Sequence, residues 1–360
     1  MESVERENDM ESRKIQKVGA ATLTISLPSA WVRKRRLKKG DQVFLIEEGE
    51  ALKVLTQQEA RSRNDAAMEF RVDADLCDEP GMLERVIVGN YVLGRQKVIV
   101  TSSSRLRSDH IQEIRQAVKH LTGLGIIEES ENRITLQCAI DPAHYPLDTL
   151  IKRLFNLSAT MLGESIEALV TGDGSLAEDA IKREEDADTM YWLILRLVLS
   201  AQLDEGLVET LGMRSRLEIP GYRAIAKDLE TVADRCEEIA HAVLLLIEEK
   251  VELSPTIAKQ MKEMCTAVID LYGKALGGLL SRDLKQANEA IRKQAGIKKR
   301  ESDIVRLYLK DYDDPNVILP FRTIVHSITE TAEYAKSIAV IAYNRYLEKP
   351  SNLSRPAGPP

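Results

Sequence analysis

The segment YRAIAKDLETVADRCEEIAHAVLL (222–245) aligns without a gap on FRTIVHSITETAEYAKSIAVIAYN (321–344), 99 residues further along the chain. Arg223 falls on Arg322, Ile225 on Ile324, Leu229 on Ile328, and Ile239-Ala240 on Ile338-Ala339. Upstream, EDAIKREEDADTMYWLIL resembles NEAIRKQAGIKKRESDIV at an offset of 110, through Ala180-Ile181 and Ala290-Ile291. Self-similarity at this spacing means a supersecondary unit used twice. The apolar residues follow a helical period through the whole region 147–347. The expectation is a duplicated three-helix bundle, one copy over about 147–250 and the other over about 255–347. An aromatic content of 4% beside 30% charged residues fits helices packed through Leu, Ile, Val and Ala.

The 360 residues leave room for further domains. Over 12–56 the pattern alternates as strands do, in ATLTISL (21–27), QVFLIEE (42–48) and, after a Glu-Gly-Glu turn, ALKVL (51–55). A short helix, SAWVRKRRL (29–37), follows Pro28, and Gly40-Asp41 turns the chain back into a strand. A unit this small buries little core alone, so oligomerisation is expected. The region 66–145 reads strand (67–76), helix (82–95), strand (97–102), helix (108–123), strand (134–140), a small α/β domain. It has no phosphate-cradling glycine loop, and no chemistry is assigned to it. Residues 1–11 and the Pro-rich 348–360 are expected to be disordered, and the fold class is multidomain and mainly α.

The charge is unevenly spread. Between Glu11 and Leu55 stand ten basic residues (Arg13, Lys14, Lys17, Arg33, Lys34, Arg35, Arg36, Lys38, Lys39 and Lys53) against five acidic ones, in a chain of formal charge −7. A basic module on an acidic body suits nucleic-acid binding, since cations facing phosphates release condensed counterions. A solvated helix carries such residues too.

On the helix 222–247, Ile225, Leu229, Val232, Cys236, Ile239 and Val243 form one apolar seam. Glu230, Asp234, Glu237 and His241 step along the opposite face, which reads as a solvated stripe or as carboxylates one turn apart that hold a cation together. The preceding helix is less ordinary. Its seam runs through Ala177, Ala180, Ala187, Tyr191, Ile194 and Val198, and Glu184 falls in that register with Asp188 one turn on. A charge among alanines needs a cation or a hydrogen-bonding partner, and an ion pair with Arg235 would serve equally.

Several classes are set aside. Cys77, Cys138, Cys236 and Cys265 form no CxxC pair, which speaks for a reducing cytoplasm. The N-terminus lacks the apolar core of a signal peptide, and no apolar run approaches the roughly 20 residues of a membrane span. A di-iron bundle needs an ExxH from each of two helices. Glu238 and His241 supply one, but Ser337 and Val340 stand at the equivalent places in the second copy. GxSxG, GxxxxGKS and HExxH do not occur, so no enzyme is expected.

Two resemblances extend this reading. ESRKIQKVG, TLTISLP, the basic helix and KKGDQVFLIEEG resemble the AbrB/MazE/SpoVT family of swapped-hairpin DNA-binding domains over about 45 residues. That resemblance implies a homodimer built by interleaving hairpins, with DNA contacts from Arg13, Lys14, Lys17, Arg33, Lys34, Arg35 and Arg36. It departs from the family at Gly19-Ala20, where an Arg often follows the Gly. DLETVADRCEEIAHAVL and ITETAEYAKSIAVIAYN resemble the PhoU family of phosphate-signalling proteins over nearly all of 147–347. This second resemblance implies a divalent or iron-type metal ion held by Glu184, Asp188, Glu230 and Asp234. Gln294, Lys298, Thr329 and Glu333 stand at the matching places of the second copy, so at most one occupied site, in the first, is expected. Together they are similar to the archaeal-type fusion of the two domains, a cytoplasmic regulator of phosphate uptake that senses through its bundle and acts on DNA. The alternative is an adaptor that does not bind DNA and docks on a phosphate ABC transporter ATPase or a regulatory kinase.

Overall fold

A computed structural model describes residues 11–19, 22–48, 51–59 and 69–357. The expected disorder of 1–11, the Ala20-Ala21 stretch, most of the Glu-Gly-Glu turn, the start of the 67–76 strand and the last three residues lie outside the described residues, save Glu11 and the backbone of Glu48. The chain forms two compact units, Met1–Ala66 and Ala67–Pro360.

The described residues of the first unit form two antiparallel hairpins with a helix between them. Strand β1 (Gln16–Val18) pairs with β2 (Thr22–Thr24), so the strand read as 21–27 is short and has a partner that the sequence pattern did not reveal. Helix α1 (Ser29–Lys34) stops three residues before the expected Leu37. Leu37 N–H bonds the Val32 carbonyl and Arg36 N–H bonds that of Arg33, with Arg36 left-handed at φ 55°. This is a Schellman closure with arginine where glycine is usual. Strands β3 (Val43–Glu48) and β4 (Ala51–Thr56) form the second hairpin. Ile15, Val18, Leu23, Ile25, Phe44, Leu45 and Leu52 are all exposed, Leu23 at 67% and Leu45 at 61%, so the described residues of this unit enclose almost no core.

The second unit begins with a four-stranded sheet in the order β5-β6-β8-β7. Its strands are β5 (Glu69–Asp73), β6 (Lys97–Thr101), β7 (Leu124–Ser130) and β8 (Arg133–Cys138). Strands β5 and β6 are parallel, joined by α2 (Met82–Val92), and α3 (Ser108–His120) follows β6. The sequence reading lacked β7, because LGIIEES has no clean alternation. It is an edge strand with a register shift between Ile126 and Glu128.

Seven helices complete the unit: α4 (Leu147–Thr171), α5 (Gly174–Leu203), the short α6 (Gly206–Thr210), α7 (Ile219–Glu248), α8 (Pro255–Ser281), α9 (Leu284–Tyr308) and α10 (Pro315–Leu347). Asp173 and Asp283, 110 apart, cap α5 and α9 by accepting backbone N–H groups. Helices α4, α5 and α7 pack together, as do α8, α9 and α10, and α7 against α10 joins the copies. At that junction Ala233 and Ala332, equivalent at the offset of 99, are fully buried. Ser337 faces Asp228 and helps keep its carboxyl ionised against burial. Ser327 donates to Glu238 at 2.9 Å. The two helices therefore run antiparallel.

The α/β layer has a core of its own and falls in one compact unit with the bundle. Leu195 of α5 is part of the core beneath the sheet, with Tyr191, Trp192 and Leu199 packed against it. Arg196, 7% exposed, donates to the carbonyl of Tyr91 in the last turn of α2 and to those of Gly94 (3.2 Å) and Arg95 (3.1 Å) just past it. A cation at the C-terminal end of a helix also suits the helix dipole. Among the described residues no helix is long and apolar enough to cross a membrane.

Two glycines of α8 should respond oppositely to alanine. A Cβ on Gly278 would lie 2.7 Å from the Ala287 nitrogen and 3.0 Å from the Asp283 carbonyl oxygen, backbone atoms that cannot step aside. Gly273 has nothing within 4 Å. Urea denaturation should show Gly278→Ala less stable by about 2 kcal/mol through overpacking. Gly273→Ala should be more stable by roughly 0.5–1 kcal/mol through helix propensity.

Candidate functional site

The carboxylate stripe of α7 does not face open solvent. It lies against α5, and Glu230 is 8% exposed. On α7 the seam residues Ile225, Leu229, Val232, Cys236, Ile239 and Val243 are buried, as read from the sequence. On α5, Ala177, Ala180 and Ala187 are buried, and Glu184 and Asp188 sit half-buried beside them. Alanine side chains let neighbouring helices approach closely. One carboxylate oxygen from each of Glu184, Asp188 and Asp234 comes within 4.8 Å of the others.

Three negative charges this close, partly out of water, oppose one another's ionisation. Burial first, then Asp188, Glu237 and Asp234, push the Glu184 carboxyl up to about 7. Burial and then Glu230 raise Asp234 to about 6. Asp188 is raised by burial and by Glu230, against the opposing effect of a hydrogen bond with Glu184 and of His120 and Lys227 nearby. The donors are all carboxylate oxygens, the set that hard cations prefer.

Of the four expected ligands, the structure brings three together. Glu230 adds its charge to the group, but its carboxylate is held by Lys227 Nζ and by the Thr231 hydroxyl at 3.2 Å. Lys227 lies one turn before Glu230, so this pairing was legible in the spacing. Glu237 belongs to the electrostatic cluster, although no ligand role was read for it. Arg235 does not pair with Glu184, since its guanidinium bonds Glu238 at 2.8 Å.

At the equivalent place in the second copy, Lys298 Nζ lies 2.8 Å from the Glu333 carboxylate, and Gln294 Nε2 donates to the same oxygen at 2.6 Å. The Thr329 hydroxyl turns back to the Val325 carbonyl. A groove of about 630 Å³ lies elsewhere in this unit. Asp186, Thr189, Met190 and Leu193 line it from the side of α5 turned away from the carboxylates.

The basic residues lie in the first unit. Arg13 pairs with Glu11, Lys14 is exposed, and Lys17 is exposed on β1. Arg33 and Lys34 close α1, Arg35 caps it and pairs with Glu59 at 2.8 Å, and Arg36 follows. Lys34 and Arg36 are exposed and have no carboxylate partner among the described residues. All four cysteines are buried and unpaired.

The raised carboxyls fix a pH dependence of stability. A carboxyl protonated more readily in the folded than in the unfolded chain stabilises the fold fully below its unfolded value, near 4.5 for Glu184, and loses that contribution as pH rises through the folded value of about 7. In chelator, Glu184→Gln should therefore match the wild type at pH 4 and exceed its stability at pH 8 by about 1 kcal/mol, after allowing for solvent screening. Thermal denaturation at the two pH values reads this directly. An equal effect at both would mean that charge repulsion is not the cause.

Residues 151–243 match the family model described as "PhoU domain". A curated relative from Thermotoga maritima, named "Phosphate-specific transport system accessory protein PhoU homolog 2", is 32% identical over 122 residues, 31% of this chain and 48% of that protein. The chain thus spans about half the length of the curated relative it matches. Among solved structures, PhoU from Pseudomonas aeruginosa is similar at 17% identity with a TM-score of 0.45, covering 54% of this chain and 93% of that one. The phosphate transport system regulatory protein PhoU from Streptococcus pneumoniae is similar at 18% identity with a TM-score of 0.48, covering 57% and 96%. The three converging carboxylates all lie within 151–243, and the segment that holds them matches the PhoU domain family.

Proposed function

We propose that this chain is a regulatory accessory of phosphate transport, an adaptor whose helical unit docks on a phosphate transporter ATPase or a regulatory kinase. The observation that carries this is the PhoU domain match over the residues that build the carboxylate cluster, supported by a relative named as a transport accessory protein. Glu184, Asp188 and Asp234 would hold a divalent or iron-type cation. Bound there, it would neutralise their repulsion and tie α5 to α7. The chain's own part is to keep the three carboxylates on two helices with alanines beneath, where water screens them poorly.

The exposed apolar hairpins of the first unit favour a homodimer. Leu23→Asp combined with Leu45→Asp should convert a dimer to a monomer in light scattering. A wild type that is already monomeric would remove this assignment.

The exposed cations of α1 favour a second reading, in which the first unit binds DNA and the chain also regulates transcription. Removing the gene should deregulate phosphate uptake, with transport persisting in phosphate-rich medium, and unchanged uptake would overturn the accessory reading. Binding to the chain's own upstream DNA across a salt series tests the second. Contacts to phosphates make affinity fall steeply with salt, and Arg33→Ala/Lys34→Ala/Arg36→Ala should flatten that slope. No binding at low salt leaves only the adaptor.

A further inference from the structure

The two copies of the bundle present the same four positions with different charge. Glu184, Asp188, Glu230 and Asp234 of the first correspond to Gln294, Lys298, Thr329 and Glu333 of the second. Four formal negative charges become one negative and one positive. The environments diverge accordingly. In the first copy the carboxyl of Asp234 is raised by burial and its neighbours. Its counterpart Glu333 is lowered, chiefly by the hydrogen bond from Lys298. Gln294 is 5% exposed, and its amide and the Lys298 ammonium converge on one oxygen of Glu333.

We infer that Lys298 is a resident cation, the residue that decides which half of the bundle takes a metal ion: its ammonium stands in the second copy where a bound cation would stand in the first. An acidic cluster alone does not designate a cation site. Here the same fold, built a second time, puts a positive charge against the equivalent carboxylate, and that independent observation points to a cation in the first copy. The Lys298–Glu333 pair is half-exposed, with the lysine side chain 64% accessible, so its contribution to stability is small. Its effect on binding is larger. It repels a second cation, and with Gln294 it uses the carboxylate oxygen that would otherwise be a ligand. The chain is thus asymmetric, with one half that responds to cation concentration and one that is permanently satisfied. This inference rests on the cation reading under Proposed function.

The test exchanges the residues between copies in the full chain and uses Mn²⁺ alone as the probe, counted by equilibrium dialysis and by loss of the free-ion EPR signal. Lys298→Asp with Gln294→Glu should bind more Mn²⁺ per chain than wild type, and Asp188→Lys should bind less. Asp188→Lys should also melt several degrees higher than wild type in chelator at pH 8, because a built-in cation relieves the repulsion there. Wild type that binds Mn²⁺, with no extra uptake in the Lys298→Asp/Gln294→Glu chain, would overturn the inference while leaving the cation reading intact. Wild type that binds none would remove the cation reading. The chelator measurement then decides whether the ammonium substitutes for a charge-balancing group: a raised melting temperature supports it, and an unchanged or lowered one overturns it.

Discussion

The close crossing of α7 and α10 governs the helical unit. Alanines stand at its centre, Ala233 on one helix and Ala332 on the other, and both are fully buried. On either side a serine of α10 faces a carboxylate of α7, Ser337 at Asp228 and Ser327 hydrogen-bonded to Glu238. At the offset of 99, each serine is the counterpart of the acid in the other contact. One pseudo-two-fold axis therefore relates the repeats and the two serine–carboxylate contacts. A larger residue at the crossing would part the helices and stretch both contacts, since ridge-into-groove packing sets the distance by side-chain size. The remaining helices are placed by this pair, α5 along α7 and α9 along α10.

Duplication kept the core and released the faces. Ala177 and Ala180 have buried counterparts in Ala287 and Ala290, and Tyr222 has one in Phe321. The polar positions between the helices carry no such constraint, because a carboxylate cluster and a lysine–glutamate pair both fit beside the same alanines. Packing demands volume at the seam, whereas a half-exposed interhelical face demands only that its charges be balanced.

That difference also explains what could be read from the sequence. The helix pattern, the duplication and the seam residues were legible because burial imposes a period. Glu184 stood out because it broke that period. The direction of the α7 stripe was not legible: opposite the core seam looks like solvent, and only the position of α5 turns it inward. Strand β7 was missed for lack of alternation, and α1 was read three residues too long because nothing in VRKRRL marks Arg36 as left-handed. The lysine opposite Glu333 was visible as a charge unsuited to a metal. That it occupies the carboxylate required coordinates.

The seat of the α/β layer on the bundle has a further property. Arg196 makes its hydrogen bonds to carbonyls of the backbone at the end of α2. Every amino acid offers the same carbonyl, so this joint recognises the course of the chain and not its side chains. Two positions of that turn are nonetheless fixed: the Tyr91 ring lies beneath the guanidinium, and Gly94, left-handed at φ 82°, has no room for a side chain against Ser200. Leu195, Tyr191, Trp192 and Leu199 supply the apolar part of the seat, so the arginine fixes the path of the chain while the side chains around it fix the fit.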